Sequence, residues 1–384
     1  MTFAYRARRA ACAALLVLAP VASQAGAGQE AAPVYSTLES LGEALFFDTN
    51  LSKNRTMSCS TCHSPDLGFI DPREVEPVGR AVALGDDGHS LGTRNVPTAG
   101  YAALTPPFHL TEDGKWEGGQ FLDGRASTLE DQAGGPPVNP VEMGMPDQAS
   151  VVERLRENPD YVAALKALVG AGVFDDPEAA YAAMTQAIAA YERSPEFAPF
   201  DSKYDRYLRG EYQMTAEEEL GRLLFFSQQF TNCNLCHQLK TSPIDPEETF
   251  SNYQYHNIGV PANPAVKGGP DQGVLDNPAV TDPAQAGKFK VPTLRNVAVT
   301  GPYMHNGVFK DLRTVVLFYN KYNSKAAARQ INPETGQPFG PPEVEGNLSM
   351  TELTTGPALD DKRIDALVAF LKTLTDARYE DLLE

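Results

Sequence analysis

The sequence predicts an all-α protein of helices and long loops, arranged as two similar halves. Three observations support this. The pattern Cys-x-x-Cys-His occurs twice, at Cys59-Ser60-Thr61-Cys62-His63 and at Cys233-Asn234-Leu235-Cys236-His237. Each is preceded by a related apolar stretch, Leu41-Gly42-Glu43-Ala44-Leu45-Phe46-Phe47 and Leu220-Gly221-Arg222-Leu223-Leu224-Phe225-Phe226, beginning 18 and 13 positions before the first cysteine. No run reads convincingly as a β-strand. A repeat this long implies duplicated domains rather than a solenoid.

Cys-x-x-Cys-His is the attachment signature of a c-type haem. Two thiols one helical turn apart add to the two vinyl groups, and the following histidine is placed under the iron. A dithiol redox pair has the same cysteine spacing but no need of the histidine. A zinc site built from two such pairs usually separates them by about 15–20 residues, whereas 171 positions separate Cys62 from Cys233. The reading is therefore two covalent haem c groups, held by Cys59, Cys62 and His63 and by Cys233, Cys236 and His237. Two cytochrome c-like domains follow, in which the haem serves as much of the core and few helices suffice.

The chain has 384 residues, enough for two domains. Residues 1–25 read as a signal peptide: Arg6, Arg8 and Arg9, an apolar run from Ala10 to Ala19, Pro20, and small residues before a cut after Ala25. That run is too short to span a bilayer, and no later stretch is long enough. The mature protein is expected to be soluble, exported and periplasmic. Cys12 leaves with the leader, and the haem motifs use the other four cysteines. The formal charge is −18, and −21 without the leader's arginines; this disfavours nucleic acid and anionic membrane surfaces as partners.

After a linker from Glu30 to Val34, Ser36 is the expected cap of a helix through Leu38, Leu41, Leu45 and Phe46. A loop with Asn50, Ser52 and Asn54 leads to the first haem motif. The region from Phe69 to Met145 is rich in Gly and Pro, the kind of long loop that builds a site; Thr241 to Lys288 is a second. Helices are expected from Ala149 to Glu157, Asp160 to Val169 and Glu178 to Arg193, the last stopped by Pro195. Thr215 and Glu218 form a capping box for the second repeat helix. Asp311 caps a helix from Leu312 to Asn320. Asp360 to Thr375 closes the chain, with Ile364, Leu367, Val368, Leu371 and Leu374 on one face. The domains are set at 26–212 and 213–384.

The order of motifs resembles the bacterial di-haem cytochrome c peroxidases and their MauG branch, over nearly the whole mature chain. Besides the two haem motifs these are Arg94-Asn95-Val96-Pro97-Thr98, Asp123-Gly124-Arg125-Ala126, Asn139-Pro140-Val141-Glu142-Met143, His256-Asn257-Ile258-Gly259, Val291-Pro292-Thr293-Leu294-Arg295-Asn296-Val297 and Gly301-Pro302-Tyr303-Met304-His305-Asn306-Gly307. The resemblance implies a peroxide-reactive N-terminal haem and an electron-transfer C-terminal haem. It places Gln132 and Glu142 in the distal pocket of the first haem, where a carboxyl group takes a proton from H2O2 and returns it to the leaving oxygen. Read without the family, they are a surface amide and a helix-start carboxylate. It also implies Ca²⁺ between the domains, on Asn95, Thr300 and Pro302.

The ligand on the second iron separates the branches. The peroxidases carry a methionine 14 positions beyond the histidine of the Pro-Tyr-x-His-x-Gly motif; counted from His305, that position is Tyr319. Tyrosine there resembles MauG and implies an enzyme that uses H2O2 to oxidise a partner protein through high-valent haem iron. Tyr319 as pocket packing, with Tyr322 as the ligand or with none, is the alternative. Two other functions stand beside it: a cytochrome c peroxidase reducing H2O2 with electrons from a small cytochrome c, and a non-catalytic di-haem electron carrier. The peroxidase branch has a mobile histidine near the place of His89, which is either that ligand or a solvent-facing loop residue. The family's tryptophan relay between the haems falls at Leu122, which has no accessible redox state. Trp116, the single tryptophan, is either a substitute folded back between the haems or a surface anchor.

Overall fold

The structure, a computed structural model, describes residues 1, 34–239 and 246–383. The leader's arginines, its apolar run, Cys12 and the cut after Ala25 lie outside the described residues. Eleven α-helices occur among those described: α1 Leu38–Phe46, α2 Cys59–Cys62, α3 Leu129–Ala133, α4 Gln148–Arg156, α5 Pro159–Leu168, α6 Pro177–Glu192, α7 Lys203–Leu208, α8 Ala216–Phe225, α9 Leu312–Asn320, α10 Met350–Thr354 and α11 Asp361–Lys372. Strands are confined to three antiparallel ladders of two residues a side: β1 His109–Leu110 with β2 Trp116–Glu117, β3 Tyr255–His256 with β4 Phe289–Lys290, and β5 Ile331–Asn332 with β6 Gln337–Pro338. Such clips pin loops and form no layer, so the fold is mostly helix and loop. No helix among the described residues is long and apolar enough to cross a membrane.

Two apolar cores organise the helices. The first joins α1, α4, α5 and α6 and ends at Phe197; the second joins α7, α8, α9 and α11 and begins at Tyr204. The chain thus passes from one core to the other between Phe197 and Tyr204, ahead of the expected 212/213 division.

The repeated Leu-Gly-x-x-Leu-Phe-Phe stretch has a packing reason. A Cβ on Gly42 of α1 would lie 1.8 Å from the Ala187 carbonyl oxygen of α6, and one on Gly221 of α8 would lie 1.9 Å from that of Ala366 in α11. Only a residue without a side chain lets these helix pairs approach so closely. The leucine and first phenylalanine after each glycine, Leu45 and Phe46 in α1 and Leu224 and Phe225 in α8, are buried in the respective cores.

Helix starts follow local chemistry. Thr37, not the expected Ser36, caps α1, in a reciprocal pairing with Ser40. Thr215 and Glu218 form the expected box on α8, and Asp311 caps α9. Pro159 separates α4 from α5 by serving as the first residue of α5, behind the Asn158 cap; its missing N–H costs nothing there. On α11, Ile364, Leu367 and Leu371 are buried as expected, Val368 is half-buried, and the buried Leu374 lies beyond the helix end.

Candidate active site

α2 is the first Cys-x-x-Cys itself, so Cys59 and Cys62 share one helix face. The second pair begins on a 3-10 turn over Cys233–Leu235. None of these four cysteines is in a disulfide. Burial pushes Cys62 and Cys236 up to about 12. Arg73 donates to Cys62 Sγ at 3.2 Å while its guanidinium is held by Asp71 at 2.6 Å.

The two histidines are oriented in the same way. His63 Nδ1 lies 3.1 Å from the Phe69 carbonyl, and His237 Nδ1 lies 3.0 Å from the Phe250 carbonyl. A carbonyl only accepts, so Nδ1 carries the proton and Nε2 is left as the lone-pair nitrogen a metal requires. Burial lowers both imidazoles, His237 to about 4, and so favours the neutral ring. Phe69 and Phe250 both adopt left-handed backbone, with φ of 57° and 58°. Sequence reading missed both carbonyls, since a backbone acceptor leaves no residue-type signal and stands 6 positions from one histidine but 13 from the other.

Each motif opens on a cavity. The first, about 980 Å³, is lined by Cys59, Cys62 and His63 together with Gln132, Glu142, Arg94, Arg125 and Glu192. The second, about 350 Å³, is lined by Cys233, Cys236 and His237, by Tyr319 and by apolar side chains such as Leu312, Val315, Val316 and Leu367. A pair of thiols, a neutral histidine and a cavity beside them fit a haem at both places.

Gln132 on α3 and Glu142 are therefore brought together in the first cavity. Burial raises the Glu142 carboxyl above its usual range, against the opposing pull of Arg125. Glu192, near the end of α6, was not foreseen. It is 6% exposed, and burial raises its carboxyl to about 8. A Glu at the end of an Ala-rich helix carries no mark of its burial in the sequence.

In the second cavity the Tyr319 hydroxyl has no hydrogen-bond partner among the described residues. Tyr322 lies outside the lining and donates to the Ile258 carbonyl at 2.9 Å. Asn95, Thr300 and Pro302 all border this cavity. Asn95 Nδ2 donates to the Arg80 and Ala81 carbonyls, each at 3.2 Å.

Leu122 lines both cavities. Trp116 lines neither: it stacks on Phe108 at 4.8 Å in a small cluster with Tyr255. His89 is also outside both linings. Its side chain is 80% exposed and engages Asp87 through both ring nitrogens. The Arg-Asn-x-Pro-Thr and Asp-Gly-Arg motifs meet in one ion cluster, with Arg94 2.5 Å from Asp123, 2.6 Å from Asp271 and 3.1 Å from Asp276.

Comparison with known proteins agrees with this arrangement. Residues 36–213 match the model of the di-haem cytochrome c peroxidase family. The chain is 54% identical to the methylamine utilization protein MauG of Paracoccus denitrificans, over 98% of this chain and 97% of that one. It is 30% identical to cytochrome c551 peroxidase of Pseudomonas aeruginosa, over 84% and 80%. The crystal structure of the diheme peroxidase BthA from Burkholderia thailandensis superposes with a TM-score of 0.79 at 34% identity, covering 91% of this chain and 88% of that one. With two Cys-x-x-Cys-His motifs, each beside a cavity of its own, the chain belongs to the di-haem cytochrome c peroxidase and MauG family, as a MauG-like di-haem peroxidase acting on H2O2.

Proposed function

We propose that this peroxidase works in the periplasm, reduces H2O2 at the first site and draws the two electrons from a partner protein. The observation that carries the reading is Tyr319: a phenol with no hydrogen-bond partner in the cavity of the second Cys-x-x-Cys-His, where the peroxidase branch has methionine. The basic and apolar leader supports export. The two cores support two cytochrome c-like domains, and the paired thiols support covalent attachment of both haems.

Each haem, when bound, supplies an iron that exchanges electrons with peroxide or with the other haem. The chain does the rest. His63 and His237 would each hold an iron, the imidazole fixed by its carbonyl partner. Tyr319 would be a further ligand of the second iron. Phenolate is a hard anionic donor and favours the oxidised metal, whereas methionine raises the potential. In the first cavity Glu142 takes a proton from one peroxide oxygen and returns it to the leaving oxygen, work worth about 10²–10⁴-fold. Gln132 supplies an amide beside it to orient the peroxide. Asn95, with the carbonyls of Thr300 and Pro302, offers the oxygen-only set that suits Ca²⁺.

Leu122 between the cavities favours a second reading, a cytochrome c peroxidase fed by a small cytochrome c, because the family's tryptophan relay is missing at that position. The exposed His89 speaks against the gated first iron which that reading needs. A non-catalytic carrier has no use for Glu142 and Gln132. Rapid mixing of the fully oxidised holoprotein with H2O2, followed by absorption, separates them. An immediate spectral change supports the MauG-like reading; a change only after one haem has been reduced supports the cytochrome c peroxidase. An unchanged spectrum of the second haem in Tyr319→Phe would sink the ligand assignment.

A further inference from the structure

Leu122 lines both cavities and cannot be oxidised, so any stepwise passage of an electron between the sites needs another side chain. The hydroxyls of the buried tyrosines differ in what they touch. Tyr181, Tyr255 and Tyr379 donate to the backbone carbonyls of Gly134, Gly118 and Pro65. A carbonyl accepts a hydrogen bond but does not take the proton. The oxidised phenol is a strong acid, so its one-electron oxidation is eased only where a base can receive that proton.

Tyr101 differs. It is 1% exposed, and its hydroxyl donates at 2.6 Å to Oδ1 of Asp376, itself 1% exposed. The other carboxylate oxygen accepts from Asn296 Nδ2 at 2.7 Å, and the Asp376 N–H returns a bond to Asn296 Oδ1 at 2.8 Å. The Phe200 N–H donates to the Tyr101 hydroxyl oxygen at 3.2 Å, and so would hold a phenoxyl oxygen in place. Burial makes Asp376 a better base, at about 6. The charged groups facing the pair are Arg295, whose guanidinium lies 5.4 Å from the Tyr101 ring, with Asp205 and Asp201.

The position is as distinctive as the chemistry. Tyr101 borders the second cavity, and its neighbours Thr98 and Ala102 border both. The Phe69 carbonyl that orients His63 also accepts the Ala99 N–H at 3.2 Å, two residues before Tyr101. On the other side Arg295 lies over Tyr101 and also over Phe250, at 5.3 Å, whose carbonyl orients His237. The loop is held firmly: Tyr101 takes a φ of 61°, unusual for an aromatic residue, and its N–H donates to the Phe197 carbonyl at 2.9 Å.

We propose that Tyr101 is a one-electron relay between the two haem sites, with Asp376 as its proton acceptor. H2O2 is the oxidant, taking two electrons and two protons to give two waters. Each of those electrons is passed on in turn by the Tyr101 phenol towards the first site while the phenolic proton moves to Asp376 Oδ1; the two protons that complete the waters come from solvent. Each passage leaves a neutral phenoxyl and a neutral carboxylic acid. An electron from the partner protein, arriving by way of the second site, restores the phenoxyl, and the proton returns from Asp376.

The proposal rests on reaction of the protein with H2O2, so that reaction is measured in the same samples. Holoprotein with ring-deuterated tyrosine, and with ordinary tyrosine, is mixed with one equivalent of H2O2, freeze-quenched and examined by electron paramagnetic resonance. H2O2 consumption is followed in parallel for the wild type, Tyr101→Phe and Asp376→Asn. The expected result is a radical signal in the wild type that narrows on deuteration and is lost in both variants. A signal that persists in Tyr101→Phe, or no tyrosyl signal although H2O2 is consumed, overturns the relay. A signal that persists in Asp376→Asn overturns the proton acceptor. If the wild type consumes no H2O2, the peroxidase reading and the relay fall together. Where Asp376→Asn does not retain haem, Tyr101→Phe alone decides.

Discussion

The two Cys-x-x-Cys-His sites are alike below the histidine and unlike above it. In both, a phenylalanine in left-handed backbone offers its carbonyl to Nδ1, and a glycine in the preceding helix lets a later helix pack against it. The cavities then diverge. The first is the larger, at about 980 Å³, and gathers Glu142, Gln132, Arg94, Arg125 and Glu192; the second, at about 350 Å³, has apolar walls and Tyr319. A duplicated scaffold holds two haems, and the side chains facing each haem decide which site has room and a proton carrier for a small substrate. The half of the plan that is repeated concerns holding; the half that is not repeated concerns reactivity.

The comparison breaks most visibly if the first cavity loses its carboxyl group. Glu142→Gln is expected to slow the reaction with H2O2 by about 10²–10⁴-fold, the usual worth of a positioned general base, with the haem spectra retained. The sign of the pH dependence follows from the raised carboxyl. As a base, Glu142 must be ionised to accept the proton. The rate should therefore rise with pH through its raised value and level off above it, and Glu142→Gln should lose that limb. A variant that keeps both the rate and the limb would remove Glu142 from the chemistry.

The reverse manipulation makes the second site resemble the methionine-ligated branch. Tyr319→Met should raise the reduction potential of the second haem by on the order of 0.1 V or more, within the ~0.8 V that axial ligands command. A potentiometric titration resolves the two haems; movement of the first instead of the second would place Tyr319 elsewhere in the chemistry.

The shared half of the plan makes its own prediction. Gly42→Ala and Gly221→Ala each place a methyl group within 2 Å of a backbone oxygen, 1.8 Å and 1.9 Å respectively. Each should cost at least the ~1–3 kcal/mol typical of overpacking, measured by denaturant unfolding of the holoprotein. If only one does, the two helix crossings are not equivalent and the repeat is less complete than the packing implies.

Much of this plan was legible in the sequence because it is local. The haem motifs, the Thr215 box, the Asp311 cap and the α9 span all rest on residues within one or two turns of each other. Tyr319 was reached by counting, and the structure sets it in the cavity with Cys233, Cys236 and His237. What escaped depends on long-range approach. Arg94 meets Asp271 and Asp276, each more than 170 positions away, and the Tyr101 hydroxyl meets Asp376 at a separation of 275. Glu192 looks like any helix-surface carboxylate until α6 is packed. Trp116 and His89 were open in the sequence because a loop's course is not periodic; in the structure one stacks on Phe108 and the other is exposed beside Asp87.

The smallest effect tests whether the two repeat helices are started with equal firmness. On α1 the Thr37 N–H donates to the neutral Ser40 hydroxyl at 3.3 Å, and Ser40 N–H returns to Thr37 Oγ1 at 3.0 Å. On α8 the Thr215 N–H donates to the Glu218 carboxylate at 2.7 Å, and Glu218 N–H returns to Thr215 Oγ1 at 3.2 Å. An ionised acceptor makes the stronger bond, and the carboxylate also sits favourably at the positive end of the helix. Replacing a capping threonine by alanine costs about 1 kcal/mol in general. The two alanine variants share that loss, because each removes the hydroxyl that receives the N–H of the third helical residue. They differ in what survives: in Thr215→Ala the Glu218 carboxylate still accepts the backbone N–H of position 215, whereas in Thr37→Ala only a long bond to Ser40 remains. Thr37→Ala should therefore cost as much as Thr215→Ala or more, and Glu218→Ala should cost more than Ser40→Ala. Equilibrium unfolding of the four variants reads the order directly, and equal costs for Glu218→Ala and Ser40→Ala would mean that the charge in the second box adds nothing to the helix it begins.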